Sequence, residues 1–143
     1  MNDRTPFGDV ELMLAGDGTD PGFLEAAGRF LCTSTPADMR TMLEGGVFVV
    51  RVNRVGGGES RSGTSDEPRV RVDVFGLASS AAPRATHEKA SEIRTQLRRL
   101  SGAVTAFGRL DKAVTEAGPT EMPWSSDEQI VRVQQVFRIT TRP

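Results

Sequence analysis

Two stretches with a two-residue period, "VFVVRVNRV" at 47–55 and "PRVRVDVFG" at 68–76, constrain this chain most. In the first, Phe48, Val50 and Val52 point one way, and Arg51 and Asn53 the other. In the second, Val70, Val72 and Val74 point inward, and Arg69, Arg71 and Asp73 outward. Side chains alternate across a strand, so each stretch reads as a strand with one buried face. Residues 56–67 between them are polar and glycine-rich, which predicts an antiparallel pair joined by a long hairpin loop. That loop is longer than most hairpin connections, and long loops are often functional.

The loop contains "GGGESRSGT" (56–64), close to the glycine-rich loop that holds nucleotide phosphates. Such a loop needs a lysine after its last glycine and a helix to present backbone N–H groups. Here Thr64 follows Gly63 directly, and a strand comes next. The reading that remains is a hairpin tip in which Glu59, Arg61 and Asp66 offer charges of both signs for contact with a neighbouring protein.

Elsewhere the period is helical. Thr86, Ala90, Ile93, Leu97, Leu100 and Val104 recur at four-three spacing and predict one long amphipathic helix from about Ser79 to Ser101. Shorter helices are expected over 9–15, over 23–31 ("FLEAAGRFL") and over 35–43. In the last, Thr35 is the cap, Pro36 occupies the first turn, Asp38 closes a capping box, and Gly45 and Gly46 end it. A third strand is expected over 109–117, then a loop over 118–128, then a last strand over 129–141. Val131, Val133, Phe137 and Ile139 form the last strand's buried face. Gln135 interrupts that face and marks either a bulge or a second packing surface.

The expected fold is α+β: an antiparallel or mixed sheet of about four strands, one long helix packed on one face, and short N-terminal helices around a β-β-α-β-β core. The length of 143 residues suits a single domain, with 1–8 flexible. Basic and acidic side chains number 18 and 19, so a net charge of −1 gives no case for general nucleic-acid or membrane binding. One cysteine excludes an internal disulfide, no secretory signal is present, and "VFVV" is too short to span a bilayer. A soluble protein made in a reducing compartment is expected.

No catalytic, cofactor or metal site is expected. His87, in "HEKAS", is the single histidine, and Ser91 stands where a second zinc ligand would be. Cys32 has no histidine near it in sequence and reads as a structural thiol. Arg51, Arg54, Arg69, Arg71, Arg132 and Arg138 lie on strands, and several gather on the outer sheet face. Three readings apply: a solvated face with cross-strand partners such as Asp73, a nucleic-acid patch, or guanidinium groups that meet carboxylates of a neighbouring subunit. Trp124, read as a loop residue, either covers the edge of the core or anchors a partner.

Three stretches carry a family resemblance: "STPADM" with "FVVRVNRVGGG" (34–58), "PRVRVDVFGLASSAAPRATHEKASEIRTQL" (68–97) and "VTEAGPTEMPWSSDEQIVRVQQVFRITTRP" (114–143). In this order they resemble the tail-terminator, or tail-completion, proteins of long-tailed bacteriophages, especially siphophages of actinobacterial hosts. Residues 14–33 depart from the pattern, with an interruption where a continuous first helix is expected. The resemblance implies a non-enzymatic virion protein, assembled in the host cytoplasm and placed at the head–tail junction. It implies a homo-oligomeric ring, commonly a hexamer, on the head-proximal end of the tail tube. Its partners would be the major tail tube protein and a head-completion or stopper protein. DNA would only pass through the lumen, so a lumen that is not strongly basic is expected. The alternatives are another head–tail connector or stopper, a small α+β nucleic-acid-binding module, and a small enzyme with a dispersed site.

Overall fold

The computed structural model describes residues 8–25, 28–59, 65–78, 82–124 and 127–142. Asp9 opens the first element: its Oδ1 accepts from the backbone N–H groups of Glu11 (3.0 Å) and Leu12 (3.3 Å). These are donors that the first turn of a helix leaves unsatisfied. The result is α1 (Val10–Ala15), which buries Val10, Met13 and Leu14 and stops at Gly16, where φ is +74°.

The next segment corrects the expected helix over 23–31. Arg29–Cys32 is a strand, β1, paired parallel to Phe48–Arg51. The Arg29 guanidinium, only 2% exposed, holds it in place by donating to Leu24 O (2.8 Å), Gln96 Oε1 (2.9 Å) and Glu92 Oε1 (2.8 Å). α2 (Met39–Glu44) starts later than the capping box implied. Asp38 is its N-cap, without a side-chain cap bond, and Gly45 follows its end.

β2 (Phe48–Glu59) and β3 (Asp66–Leu77) form the expected antiparallel pair, but 56–59 and 66–67 of the expected loop over 56–67 are ladder, and 60–64 lie outside the described residues. Gly56 pairs with Arg69, Gly57 with Pro68, Gly58 with Glu67 and Glu59 with Asp66. A register shift between Arg54 and Gly56 accommodates this, together with the left-handed φ of +86° at Gly57. A Cβ at Gly57 would lie 2.2 Å from Glu67 O, so a glycine is needed there.

α3 (Ala82–Arg98) buries Thr86, Ala90, Ile93 and Leu97, and Leu100 beyond its end. Val104, the last member of the predicted stripe, is 79% exposed. The chain has already turned at Gly102 (φ +64°) into β4 (Ala103–Thr105). β5 (Gly108–Pro123) runs on through "GPTEMP", which had been expected to be loop, with register shifts that let Gly118 and Pro119 bulge. β6 (Ile130–Arg142) pairs with both β3 and β5.

The fold class therefore needs correction. The chain is mostly β, a six-stranded sheet curled into a half-barrel in the order β1-β2-β3-β6-β5-β4, not a four-stranded sheet with one long helix. The two extra strands are short, and β5 is longer than its weak alternation suggested. Pairing with longer neighbours makes these segments strands where local pattern does not.

The main core lies between one face of the sheet and α1 and α3. It contains Met13, Leu14, Leu24, Val52, Val72, Phe137 and others, each worth about 1.5–3 kcal/mol when buried. Gln135 sits within it, fully buried and in register opposite Val72. Its Nε2 donates to Ala90 O at 2.9 Å, so it joins sheet to helix and marks no bulge on β6. A second cluster on the other face joins Met39, Leu43, Val49, Phe75 and Ile130. β2 and β3 are thus buried on both faces at this end, not on one face as their alternation implied.

Of the segment expected to be flexible, 1–7 lie outside the described residues. Gly8 is in a β-bridge, and a Cβ there would meet Phe107 O at 2.3 Å. Among the described residues no helix is long and apolar enough to cross a membrane.

Candidate interaction face

The face of the sheet opposite α3 collects most of the strand arginines. Register places Arg51 beside Asp73, Arg71 beside Asn53 and Val136, and Arg69 beside Arg138. Arg54 is the exception. It falls opposite Val70, on the core side, and its Nη1 donates to Asp66 Oδ2 at 2.8 Å.

Asp73, expected to face solvent, is fully buried. Its Oδ2 accepts from Arg51 Nη2 (2.8 Å) and Arg51 Nε (3.2 Å), and Arg71 Nε lies 3.2 Å away. The reason is the second cluster. Phe75 and Trp124 meet edge to face with ring centroids 5.0 Å apart. The Arg51 guanidinium lies over both rings, at 5.3 and 5.4 Å. The Arg132 guanidinium also lies over the Trp124 ring, at 5.5 Å. A delocalised cation suits an aromatic face, so the stack roofs over the carboxylate between the arginines. Trp124, in the loop just after β5 as its sequence context implied, covers the edge of the core.

Beside this buried cluster stands a more open one. Glu116 Oε1 accepts from Arg69 Nε (2.7 Å), and Glu116 Oε2 accepts from Arg138 Nη2 (2.6 Å). Hydrogen bonds from Arg69 and then Arg138 hold the Glu116 carboxyl below its ordinary value of 4.5. A lowered carboxyl value means the folded state favours the anion. Its stabilisation is present above the ordinary value and is lost as pH falls through the lowered one. Glu116→Gln should therefore lower the melting temperature near neutral pH, and the gap from the parent should close under acid. Melting curves against pH read this directly, and a gap that stays constant below pH about 4 would exclude the carboxylate as its source.

The sequence pattern singled out Arg51, Arg69, Arg71 and Trp124, and the structure brings them onto one face. It places Asp66 elsewhere, paired with Arg54. Glu59 ends β2 with its backbone in the ladder, and Arg61 lies outside the described residues. Of the acceptors, Asp73 was legible as a cross-strand partner. Glu116 was not, because the register shift between Thr115 and Ala117 breaks the alternation that would have placed it.

Other candidates resolve into structural roles. Gly56–Gly58 are engaged in the β ladder and cannot cradle a phosphate as a loop. His87 Nε2 lies 3.2 Å from Glu121 Oε1 at the surface. Burial pushes the Cys32 thiol up to about 11, partly opposed by Arg51, which leaves it a poor nucleophile. Among the described residues no group of three or more His, Cys, Asp or Glu side chains could hold a metal ion. A groove of about 670 Å³ beside Phe23 is lined by Arg29, Glu92 and Gln96, and Arg29 donates to both of the others in the clamp on β1.

No protein-family model and no curated protein sequence matches the chain. Among solved structures, it is similar to a chain of the "Virion of native gene transfer agent (GTA) particle", with a TM-score of 0.50 and 16% identity. The match covers 79% of this chain and 78% of that one. At that identity the likeness is one of fold.

Proposed function

We propose that the chain is a structural protein of a phage-like virion and that it acts as a tail terminator. The observation that carries this reading is the fold shared with a virion chain over nearly four-fifths of both molecules. The ordered sequence resemblance to tail-completion proteins supports the finer assignment. The protein forms a ring on the head-proximal end of the tail tube. One ring face accepts the contact a tube subunit would make, and the other accepts a head-completion protein but no further tube ring. The work is steric and adhesive, and no chemistry is assigned to the chain.

The outer face of the sheet fits this role. Its arginines are held in place by carboxylates and an aromatic stack, which makes a preorganised surface for protein contact.

The test is to add purified protein to polymerising tail-tube subunits and to follow tube length and ends by negative-stain imaging. The expected result is tubes of arrested length, each with a ring at one end. Unchanged tube growth and bare ends would overturn the terminator reading. Rings that bind the head side alone would favour a connector or stopper.

A further inference from the structure

The N-terminal segment and the outer sheet face carry opposite charge, while α3, on the segment's side of the sheet, is mixed, with Arg84, Lys89, Arg94 and Arg98 beside Glu88 and Glu92. Residues 8–25 hold Asp9, Glu11, Asp17, Asp20 and Glu25 and no lysine or arginine. This segment packs on the α3 side of the sheet, with Met13, Leu14 and Leu24 in the main core. The opposite face carries two ion-pair clusters, Arg51–Asp73–Arg71 and Arg69–Glu116–Arg138, each with one carboxylate between two guanidiniums. Arg132 adds a cation with no carboxylate among the described residues. Glu67 alternates onto this face at the hairpin end and still leaves positive charge in excess.

Both surfaces are preorganised. Asp17 Oδ1 accepts from the N–H groups of Thr19 (2.9 Å) and Asp20 (2.7 Å), and Asp17 N donates to Asp20 O at 3.1 Å. Phe23 N and Leu24 N return to Met13 O and Leu14 O at 2.8 and 2.9 Å. A Cβ at Gly22 would meet Leu14 O at 2.4 Å, so the loop is closed against the end of α1. Asp20 and Glu25 are exposed on this fixed backbone. Across the sheet, Arg69 bonds Glu116 through Nε and Arg138 does so through Nη2. Each guanidinium keeps further N–H donors for an incoming oxyanion. Little ordering is needed on either side.

The acidic loop and the arginine face lie on opposite sides of one sheet, so a single molecule cannot join them. We propose that Asp20 and Glu25 of one copy dock on Arg69, Arg71 and Arg138 of the next copy. The contact joins unlike surfaces head to tail, which closes into a ring when the rotation allows. It deepens the ring reading above and rests on it. A second copy fits better than nucleic acid. The chain is net −1, which gives no general attraction for phosphate. Burying the arginines between subunits also keeps them out of a lumen through which DNA must pass.

The test is a charge swap read as mass in solution, at low and high salt. Arg69→Glu with Arg138→Glu makes the sheet face acidic, and Asp20→Lys with Glu25→Lys makes the loop basic. The substituted arginines are half-exposed, at 53% and 52%, and the loop acids lie at the surface, so both variants should keep the fold, as circular dichroism and melting would check. Wild type should assemble at low salt and weaken at high salt. Each variant alone should lose at least tenfold in assembly affinity. Mixed in equal amounts they should assemble again, in even-numbered oligomers, because every contact then pairs opposite charges.

Wild-type rings that persist in both variants would overturn this contact and leave the ring reading standing. A wild type that stays monomeric at every concentration would remove both. Salt-dependent DNA binding by that monomer, abolished by the arginine variant, would put nucleic acid on this face instead.

Discussion

Arg51→Met is expected to lower the unfolding free energy by about 3 kcal/mol, roughly 10 °C in melting temperature for a domain of this size. Asp73 is fully buried, and two of its three arginine contacts come from Arg51. Methionine keeps much of the apolar stem but removes the cation. One ion-pair contact, from Arg71, is then left to offset the desolvation of a carboxylate. The loss also strips the guanidinium from the Phe75 and Trp124 rings. Urea unfolding measures the effect, and an unchanged denaturant slope would show that the native state lost stability without changing its exposed surface. A second change, Asp73→Leu in the same chain, should recover much of the loss, since an apolar side chain removes the unpaired charge. A cost below about 1 kcal/mol for Arg51→Met would mean that Asp73 does not depend on this partner.

Gly76→Ala is the second large effect, a loss of about 1–3 kcal/mol. Gly76 lies where α3 crosses β3, and a Cβ there would fall 1.9 Å from Thr86 Oγ1 and 3.2 Å from Thr86 Cβ. Both residues are fully or nearly fully buried, so the helix must lift or the threonine must leave its rotamer. Thr86→Ala removes the nearest atom, and the double variant should be more stable than the sum of the single effects predicts. A coupling energy of about 0.5–3 kcal/mol is expected for residues in direct contact. Strict additivity would show that the helix crosses the strand further away.

These two sites show where sequence reasoning was strong and where it stopped. The valines of β2 and β3 and the stripe on α3 were legible because burial against one large partner imposes a period on the chain. The same logic placed Asp73 in solvent, since it alternates with valines known to face the core. It does not see a second, smaller core behind the sheet. Met39, Leu43 and Trp124 come from distant parts of the chain, and nothing local marks their meeting with Phe75. Gly76 looked like the end of a strand, and only the crossing helix explains why it must stay small.

The glycines that lead into the hairpin tip were misread for a related reason. Glycines 56–58 signal permissive backbone, which suits a loop and equally suits a bulged ladder. The choice was made by Glu67, Pro68 and Arg69 opposite them. For the candidate face, the arginines were visible in the alternation, while Glu116 was hidden behind a register shift.

By itself, then, the sequence determined the antiparallel pair β2 and β3, the buried stripe of the long helix and a run of arginines on one sheet face. These follow from periodicity, which is a local consequence of burying one side of an element. The tertiary structure alone decided the rest: that six strands pair, that β1 lies parallel to β2, that Asp73 is buried, and that acidic loop and arginine face stand on opposite sides. Each of these depends on contacts between residues far apart in the chain, whose energy no short window of sequence contains.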